Sequence, residues 1–434
     1  MTNSAVARAL AGRLPFFYGW VIVSIAFLSV FLTGATSFWG LPIFVGPMHQ
    51  DTGWSHASIL GGLAVRFITG AICGLFLGRF ADARRGPALM MFAGAIIDGA
   101  ALASLRWAES PLQFLLLYGL VGGAGGSGMR MFQATLVPKW FVFRRGSAIG
   151  VAALGGGASA LLMVPLVAFF IDAFGWRDAW TWLGLIEIGV MLPCAFLIVR
   201  APEDIGLLPD DGATPPGSAR ATASSERSYT LAEAVRTWRM WLLLLGVVFG
   251  AYALNTNSVV LVPYYEEIGF SSSVAASAMS AYGFASVSTR LVWGYVADRF
   301  TVRRAMIFQG CATGLAALLL LQIEGRASLY LVSALQGTLL SGFPTLSSLV
   351  WPTFFGRRHL GSIVGVTQLF STIASASGPL LAGFIFDSTG TYETTVWMLF
   401  GAWLICAAII FAVRPAREPT LVAEGPGEAA PRVR

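Results

Sequence analysis

Five ionisable side chains stand inside long apolar runs of this sequence: Arg66, Asp98, Arg130, Glu187 and Arg290. A charge in hydrocarbon costs roughly 2.5–3.5 kcal/mol even on the lenient insertion scale, so each needs a partner, a wet cleft or a neutral state. The chemistry open to them is recognition rather than bond-making. A guanidinium is always charged, and its planar fork fits a carboxylate. Arg290 lies about two helical turns before Asp298, in the middle of its apolar run, and reads as the residue that holds an anion. Asp98 and Arg130 fall on consecutive runs, both roughly 15 Å deep at 1.5 Å per residue. They pair structurally, or Arg130 reaches a cavity; Arg66 caps that cavity or takes Asp98 instead. Asp98 and Glu187 are the candidates for taking up and releasing a proton.

Neutral polar groups extend the set. Asn255 and Asn257, with Tyr252 one turn earlier, and Gln368 read as substrate contacts or as helix–helix hydrogen bonds. The aromatics Phe38 and Trp39 wall a site or anchor a helix end. A separate group punctuates the loops: Asp82 with Arg84 and Arg85, and Asp298 with Arg299, Arg303 and Arg304. A carboxylate at such a helix end can accept hydrogen bonds from a helix N-terminus and pair with arginine. A cluster of this kind can form in one conformation and break in another, which makes it a gate.

Other chemistry is missing its constellations. Gly123-Ala-Gly125-Gly-Ser-Gly128 is a literal G-x-G-x-x-G, but it follows no strand and lies within an apolar run, so it lacks a dinucleotide site's context. Small residues there, and Gly70, Gly74 and Gly78 at four-residue spacing, let helices approach closely. His49, His56 and His359 stand in or beside loops, and Cys73, Cys194, Cys311 and Cys406 are scattered without metal-ligand spacing. No nucleophile–base arrangement, metal set or cofactor motif is legible, so no enzyme and no cofactor are expected.

The elements that must position these residues follow from composition. Only 12% of the 434 residues are charged while 56% are hydrophobic, against about a quarter charged in soluble chains. That much apolar surface must face lipid. Runs long enough to span a bilayer fall at about 17–45, 57–80, 87–105, 112–138, 147–171 and 178–200, then at 239–263, 273–297, 305–323, 327–350, 361–386 and 393–413. The first is too long for a signal-peptide core and reads as a retained span. The expected fold is all-α, twelve transmembrane helices in two six-helix bundles, 1–200 and 239–414. Residues 201–238, with Pro215-Pro216 and a Ser/Ala-rich stretch, read as a flexible linker ending in a short amphipathic helix at 229–238. The tail 415–434 reads as disordered.

Of the 28 basic residues only Lys139 is a lysine, and almost all lie in alternate loops; the other loops hold just Arg106, Arg177 and Arg326. The positive-inside rule then puts both termini in the cytoplasm, in an inner membrane. The basic residues form no stripe on a soluble face, so nucleic acid is not an expected partner.

An internal repeat runs through the chain at an offset of about 215 residues. Gly78-Arg-Phe-Ala-Asp82-Ala-Arg-Arg85 recurs as Gly294-Tyr-Val-Ala-Asp298-Arg-Phe-Thr-Val-Arg-Arg304. Trp140-Phe-Val-Phe-Arg-Arg-Gly-Ser-Ala-Ile-Gly150 recurs as Phe354-Phe-Gly-Arg-Arg-His-Leu-Gly-Ser-Ile-Val-Gly365, and Asp172-Ala-Phe-Gly175 as Asp387-Ser-Thr-Gly390. The Gly-x-x-Ala-Asp…Arg-Arg loops resemble the signature loops of the major facilitator superfamily. More narrowly, Tyr18-Gly19-Trp20, Lys139-Trp140-Phe141…Arg144-Arg145-Gly146, Phe174-Gly175-Trp176-Arg177 and the 202–212 segment look like the monocarboxylate porter and oxalate/formate antiporter branch.

That resemblance implies transport by alternating access, with Arg290 of Arg290-Leu-Val-Trp-Gly294 binding a substrate carboxylate. It also marks departures. Ser286 stands where proton-coupled carriers have an aspartate, Phe38-Trp39 where they have a lysine, and 362–379 lacks the lysine of oxalate-type carriers. The expected partners are a small organic monocarboxylate, protons and lipid, and the expected state is a monomer. Efflux of an amphipathic drug-like compound is the competing transport reading, and a transporter-fold sensor signalling through 201–238 the competing class.

Overall fold

The computed structural model describes residues 3–37, 39–212 and 228–413; the tail 415–434, Phe38 and residues 213–227 of the expected linker lie outside them. The described residues are helices and connecting turns, with no strand among them. In chain order the longer helices are α1 (Gly19–Thr36), α2 (Leu41–Thr52), α3 (His56–Ala81), α4 (Gly86–Ser104), α5 (Gly122–Arg130), α6 (Arg145–Ala158) and α7 (Val164–Leu197). After the linker come α8 (Trp238–Glu267), α9 (Ser272–Arg299), α10 (Val302–Leu318), α11 (Arg326–Leu340), α12 (Gly342–Phe355), α13 (Leu360–Thr389) and α14 (Glu393–Ala412).

Ten helical stretches are long and apolar enough to cross a membrane. In hydrocarbon an unpaired peptide group has no water to bond, so continuous helices are the way across. The serine-rich α9, and α11 with α12 broken at Ser341, occupy the two remaining places in the order of twelve. Two breaks shape these stretches, one inside a continuous apolar run and one in the expected gap between 147–171 and 178–200. The first apolar run breaks after Thr36, at the end of α1, before continuing as α2 from Leu41. The long helix α7 folds back at Gly175, whose φ of 79° suits a residue without Cβ. Beyond that turn Asp51 accepts Trp176 Nε1–H at 3.0 Å and pairs with Arg177, which fixes the bend against the end of α2.

Each half repeats the same packing. In the first, α1 lies on α6, α3 on α5 and α4 on α7; in the second, α8 lies on α13, α9 on α11 and α10 on α14. The halves meet through α3 against α13 and α6 against α9. At the end carrying the arginine-rich loops, one buried apolar core runs through both halves, from Ile22, Met91 and Trp140 to Leu346, Trp351 and Leu360. At the opposite end each half has a core of its own, around Phe44, Phe114 and Trp180 in the first and around Tyr264, Leu320 and Leu329 in the second. The molecule is therefore joined at the arginine-rich end. Outward-facing Phe76, Phe284, Leu331 and Phe384 are exposed, an apolar perimeter of the kind that lipid covers.

The beginning of the linker is folded. Residues 202–205 and 209–212 form short 3-10 turns, and Asp210 accepts the N–H groups of Val142 and Phe143 at 2.7 and 2.8 Å. That carboxylate binds an otherwise open loop, which a composition reading of flexibility does not foresee. At the other end a helix runs over Leu231–Val235, closed by a Thr230–Glu233 capping box.

Candidate functional site

Two carboxylates hold the halves together at the arginine-rich end, and each does so by capping a helix of the opposite half. Asp298, at the end of α9, accepts Gly146 N–H at 2.6 Å, Ser147 N–H at 2.8 Å and the Ser147 hydroxyl at 2.5 Å. Asp82, at the end of α3, accepts Gly361 N–H, Ser362 N–H and the Ser362 hydroxyl, all at 2.9 Å. The N-cap residues of α6 and α13 are Arg144 and His359, neither of which supplies a side-chain cap of its own. The first N–H groups of a helix have no intrahelical partner and carry the positive end of its dipole, so a carboxylate is their natural complement.

Backbone contact makes the arrangement tight. A Cβ on Gly146 would sit 2.2 Å from Gly294 O, and one on Gly361 2.4 Å from Gly78 O. One turn further, a Cβ on Gly365 would meet Gly74 O at 2.5 Å. The four-residue glycine spacing read from the sequence is the surface on which α3 meets α13.

The cationic partners differ from the expected ones. Asp82 is bound by Lys139 Nζ at 2.9 Å, with both side chains nearly buried, rather than by Arg84 or Arg85. Arg84 is exposed and reaches Asp204 at 3.8 Å, while Arg85 is exposed at the start of α4. Asp298 makes no ion pair with any described residue. Arg303 caps the end of α14 through the carbonyls of Ile410 and Phe411, and Arg299 and Arg304 are exposed. Two amides and a serine hydroxyl of the opposite half supply three bonds to each carboxylate, so neither depends on the arginines next to it in sequence. Sequence reasoning missed Lys139, Gly146-Ser147 and Gly361-Ser362 as partners. Their signal was present, since Gly-Ser recurs at the same place in both copies of the repeat.

Arg290 lies one turn beyond the Gly146–Gly294 contact. Its Nη1 donates to Ala153 O on α6, in the opposite half, at 2.7 Å, and its Nε has no partner among the described residues. No acid pairs with it there. Val287, one turn further along α9, stands against Gly157. The guanidinium thus lies within the junction between the halves, bridged to α6 through Ala153.

Inside the first half, the glycines of α5 make room for a buried ionic cluster. Arg66 Nη2 donates to both oxygens of Asp98, at 2.8 and 2.7 Å, and its Nη1 to Tyr118 O at 3.2 Å; both side chains are wholly buried. Arg66 therefore takes the place that equal depth assigned to Arg130, and it caps no cavity. Depth fixes a residue's level but not its direction around the helix axis. Arg130 donates to Gly123 O at 3.3 Å, lies over the Phe67 ring and fills the space in front of Gly70. Glu187 is fully buried.

The remaining candidates separate. Asn255 donates to Ser375 Oγ on α13 at 2.9 Å and to Ala251 O, which ties two helices of one half. Asn257 is 2% exposed with its amide nitrogen unpartnered among the described residues, and the Tyr252 hydroxyl is buried likewise. Gln368 is exposed, three residues past Gly365 and on the same side of α13. Trp39 stands at the break between α1 and α2, at the opposite end from the clamps.

Comparison with known proteins gives a consistent picture. The family model described as Major Facilitator Superfamily matches residues 26–257 and 243–434. Monocarboxylate transporter 11 of Homo sapiens is 27% identical over 420 residues, covering 93% of this chain and 84% of the relative. Monocarboxylate transporter 4 of Rattus norvegicus is 25% identical over 379 residues, covering 83% and 74%. Among solved structures, a bacterial homologue of the iron transporter ferroportin in an outward-facing state superposes with a TM-score of 0.68 at 14% identity, over 91% of this chain and 99% of that one. That last likeness concerns the fold.

Proposed function

We propose that this chain, which belongs to the Major Facilitator Superfamily, carries a small organic monocarboxylate across the cytoplasmic membrane by alternating access. It is a multi-pass membrane transporter; the substrate, the route and the residues are the reading offered here. The halves 1–200 and 239–414 are the moving bodies, joined by 201–238, with both termini and the arginine-rich loops in the cytoplasm. On this orientation the structure has its cytoplasmic side closed.

The observation that carries the substrate class is Arg290. Its permanent charge has no acid to neutralise it among the described residues, only one carbonyl of the opposite half. Such a charge at membrane depth calls for an anion, and its planar fork selects a carboxylate. Substrate arriving there competes with the Ala153 carbonyl, so binding and the fit between halves are linked. The monocarboxylate transporters among its relatives support the same substrate class. Asp82 and Asp298 then act as the cytoplasmic gate, their caps formed in this state and hydrated in the other.

Uptake of labelled short-chain monocarboxylates into proteoliposomes tests the reading. Wild type is expected to take up at least one of them, and Arg290→Ala none above empty vesicles. Arg290→Lys keeps the charge but loses the fork, and is expected to fall well below wild type. Equal uptake by wild type and Arg290→Ala would remove the substrate assignment.

A further inference from the structure

The buried cluster in the first half has a charge that one proton decides. Arg66 and Asp98 neutralise each other through two short hydrogen bonds. That leaves Arg130 and Glu187. Glu187 lies on α7 between Gly184 and Ile188, both of which pack on Gly99 beside Asp98, and Asp98 Oδ2, Arg66 Nη2 and Arg130 Nη1 come together in front of Gly126; the charges acting on Glu187 are those of Asp98 from α4, Arg66 from α3 and Arg130 from the end of α5. Tyr118 bounds the same space through its contact with Arg66. Both Glu187 oxygens are buried with no described donor bonded to them, the group's hydrogen-bonding neighbour being the Asp98 carboxyl, and Arg130 Nη1 is unpartnered as well. The two are present together and do not bond.

Two carboxyls side by side do not both ionise readily. Asp98 is the one that Arg66 grips with both oxygens, so Glu187 is the one left to hold a proton. A wholly buried carboxylate without donors is also costly to keep charged. With Glu187 protonated the cluster carries one uncompensated positive charge, located on Arg130; with Glu187 ionised it carries none.

Arg130 is placed to show that charge to the space between the halves. Gly78 and Gly74 on α3 touch Gly361 and Gly365 of α13, and the next turn of the same face is Gly70. A Cβ on Gly70 would lie 2.0 Å from Arg130 Nη2. The guanidinium therefore occupies the first position past the α3–α13 glycine contacts, while Arg290 lies within the α6–α9 contact, between Gly294 and Val287. Gln368, exposed, lies about one turn beyond Gly365 on α13.

We propose that Glu187 is a proton-loading site, and that its protonation makes Arg130 available as a second cation for the anion in the path. It rests on the carboxylate-transport reading above. Proton and anion then load together, because an anion beside Arg130 is favoured when Glu187 is neutral. Release of either one loosens the other.

The test uses full-length protein in proteoliposomes with a labelled short-chain monocarboxylate, comparing counterflow at equal pH with uptake driven by an acidic exterior. For one proton per anion, wild type should accumulate label about tenfold for a gradient of one pH unit. Glu187→Gln should retain counterflow and lose accumulation. Counterflow with unchanged gradient-driven accumulation in Glu187→Gln would overturn the proposal, as would wild-type uptake indifferent to the gradient. No counterflow in wild type would instead overturn the carboxylate reading. Should Glu187→Gln fail to fold, a pH dye with detergent-solubilised wild type decides: about one proton taken up per carboxylate bound supports the proposal, and none sinks it.

Discussion

Asp82 and Ser362 meet across the boundary between the two halves, where one carboxylate oxygen accepts both the N–H and the hydroxyl of the serine at 2.9 Å. Asp298 and Ser147 repeat the relationship on the other side of the molecule. Each half therefore supplies the cap that a helix of the other half lacks, and separating the halves uncaps both helices.

Replacing Asp298 by Asn keeps the shape and removes the charge. A cap of this kind contributes about 1–2 kcal/mol, so the closed arrangement should lose roughly a factor of ten in population. Spin labels at the exposed Arg144 and Arg299, one in each half, should show a longer distance component in Asp298→Asn than in wild type. Unchanged distance distributions would mean that the caps do not hold the gate.

The clamps are unequal, because Lys139 is buried against Asp82 while Asp298 has no such cation among the described residues. Asp82→Asn leaves that lysine without its counter-charge, and breaking a buried pair costs about 3–5 kcal/mol. Asp82→Asn should therefore lower thermal stability as well as opening the gate, whereas Asp298→Asn should mainly open it. Adding Lys139→Met to Asp82→Asn should restore much of the lost stability. A double variant no more stable than the single one would contradict this account of Lys139.

The same reasoning applies to Arg66 and Asp98, both wholly buried. Asp98→Leu alone should cost about 3–5 kcal/mol, and Asp98→Leu with Arg66→Met considerably less. Melting of the two purified variants compares them directly. Equal loss in both would show that packing, not the unpaired guanidinium, sets the cost.

Gly146 and Gly361 tolerate no side chain in the closed state, where a Cβ would press on a carbonyl of the other half at 2.2 and 2.4 Å. An overpacked contact costs about 1–3 kcal/mol, charged here against closure and not against the fold of either half. Gly361→Ala should slow transport at least about tenfold and lengthen the distance between labels at Arg85 and Arg358. Wild-type transport by Gly361→Ala would show that the helices part further than the structure implies.

Much of the architecture was legible in hydropathy, because lipid demands long apolar helices wherever the chain crosses. The serine-rich α9 was read as one of the apolar runs, at 273–297. The bend at Gly175 falls in the gap between the runs 147–171 and 178–200, whereas the break after α1 lies within continuous apolar sequence, so only geometry shows it. The repeat located both gate aspartates, yet basic neighbours in sequence suggested arginine partners where helix N-termini from the other half supply most of the bonds. Equal depth paired Asp98 with Arg130, while rotation about the helix axes gave Asp98 to Arg66. The fold of 202–212 was hidden because its bonds, from Asp210 to Val142 and Phe143, are tertiary and leave no mark on composition.

Equilibrium binding of a labelled monocarboxylate to purified protein tests the account at its centre, since it isolates Arg290 from the gates and from any gradient. Wild type should bind saturably. Arg290→Ala should weaken binding by at least about a hundredfold, the loss expected when a buried charge-assisted pair worth roughly 3 kcal/mol is removed. Arg290→Lys should fall between the two. Equal affinity in all three proteins would contradict the assignment of Arg290 as the residue that holds the anion.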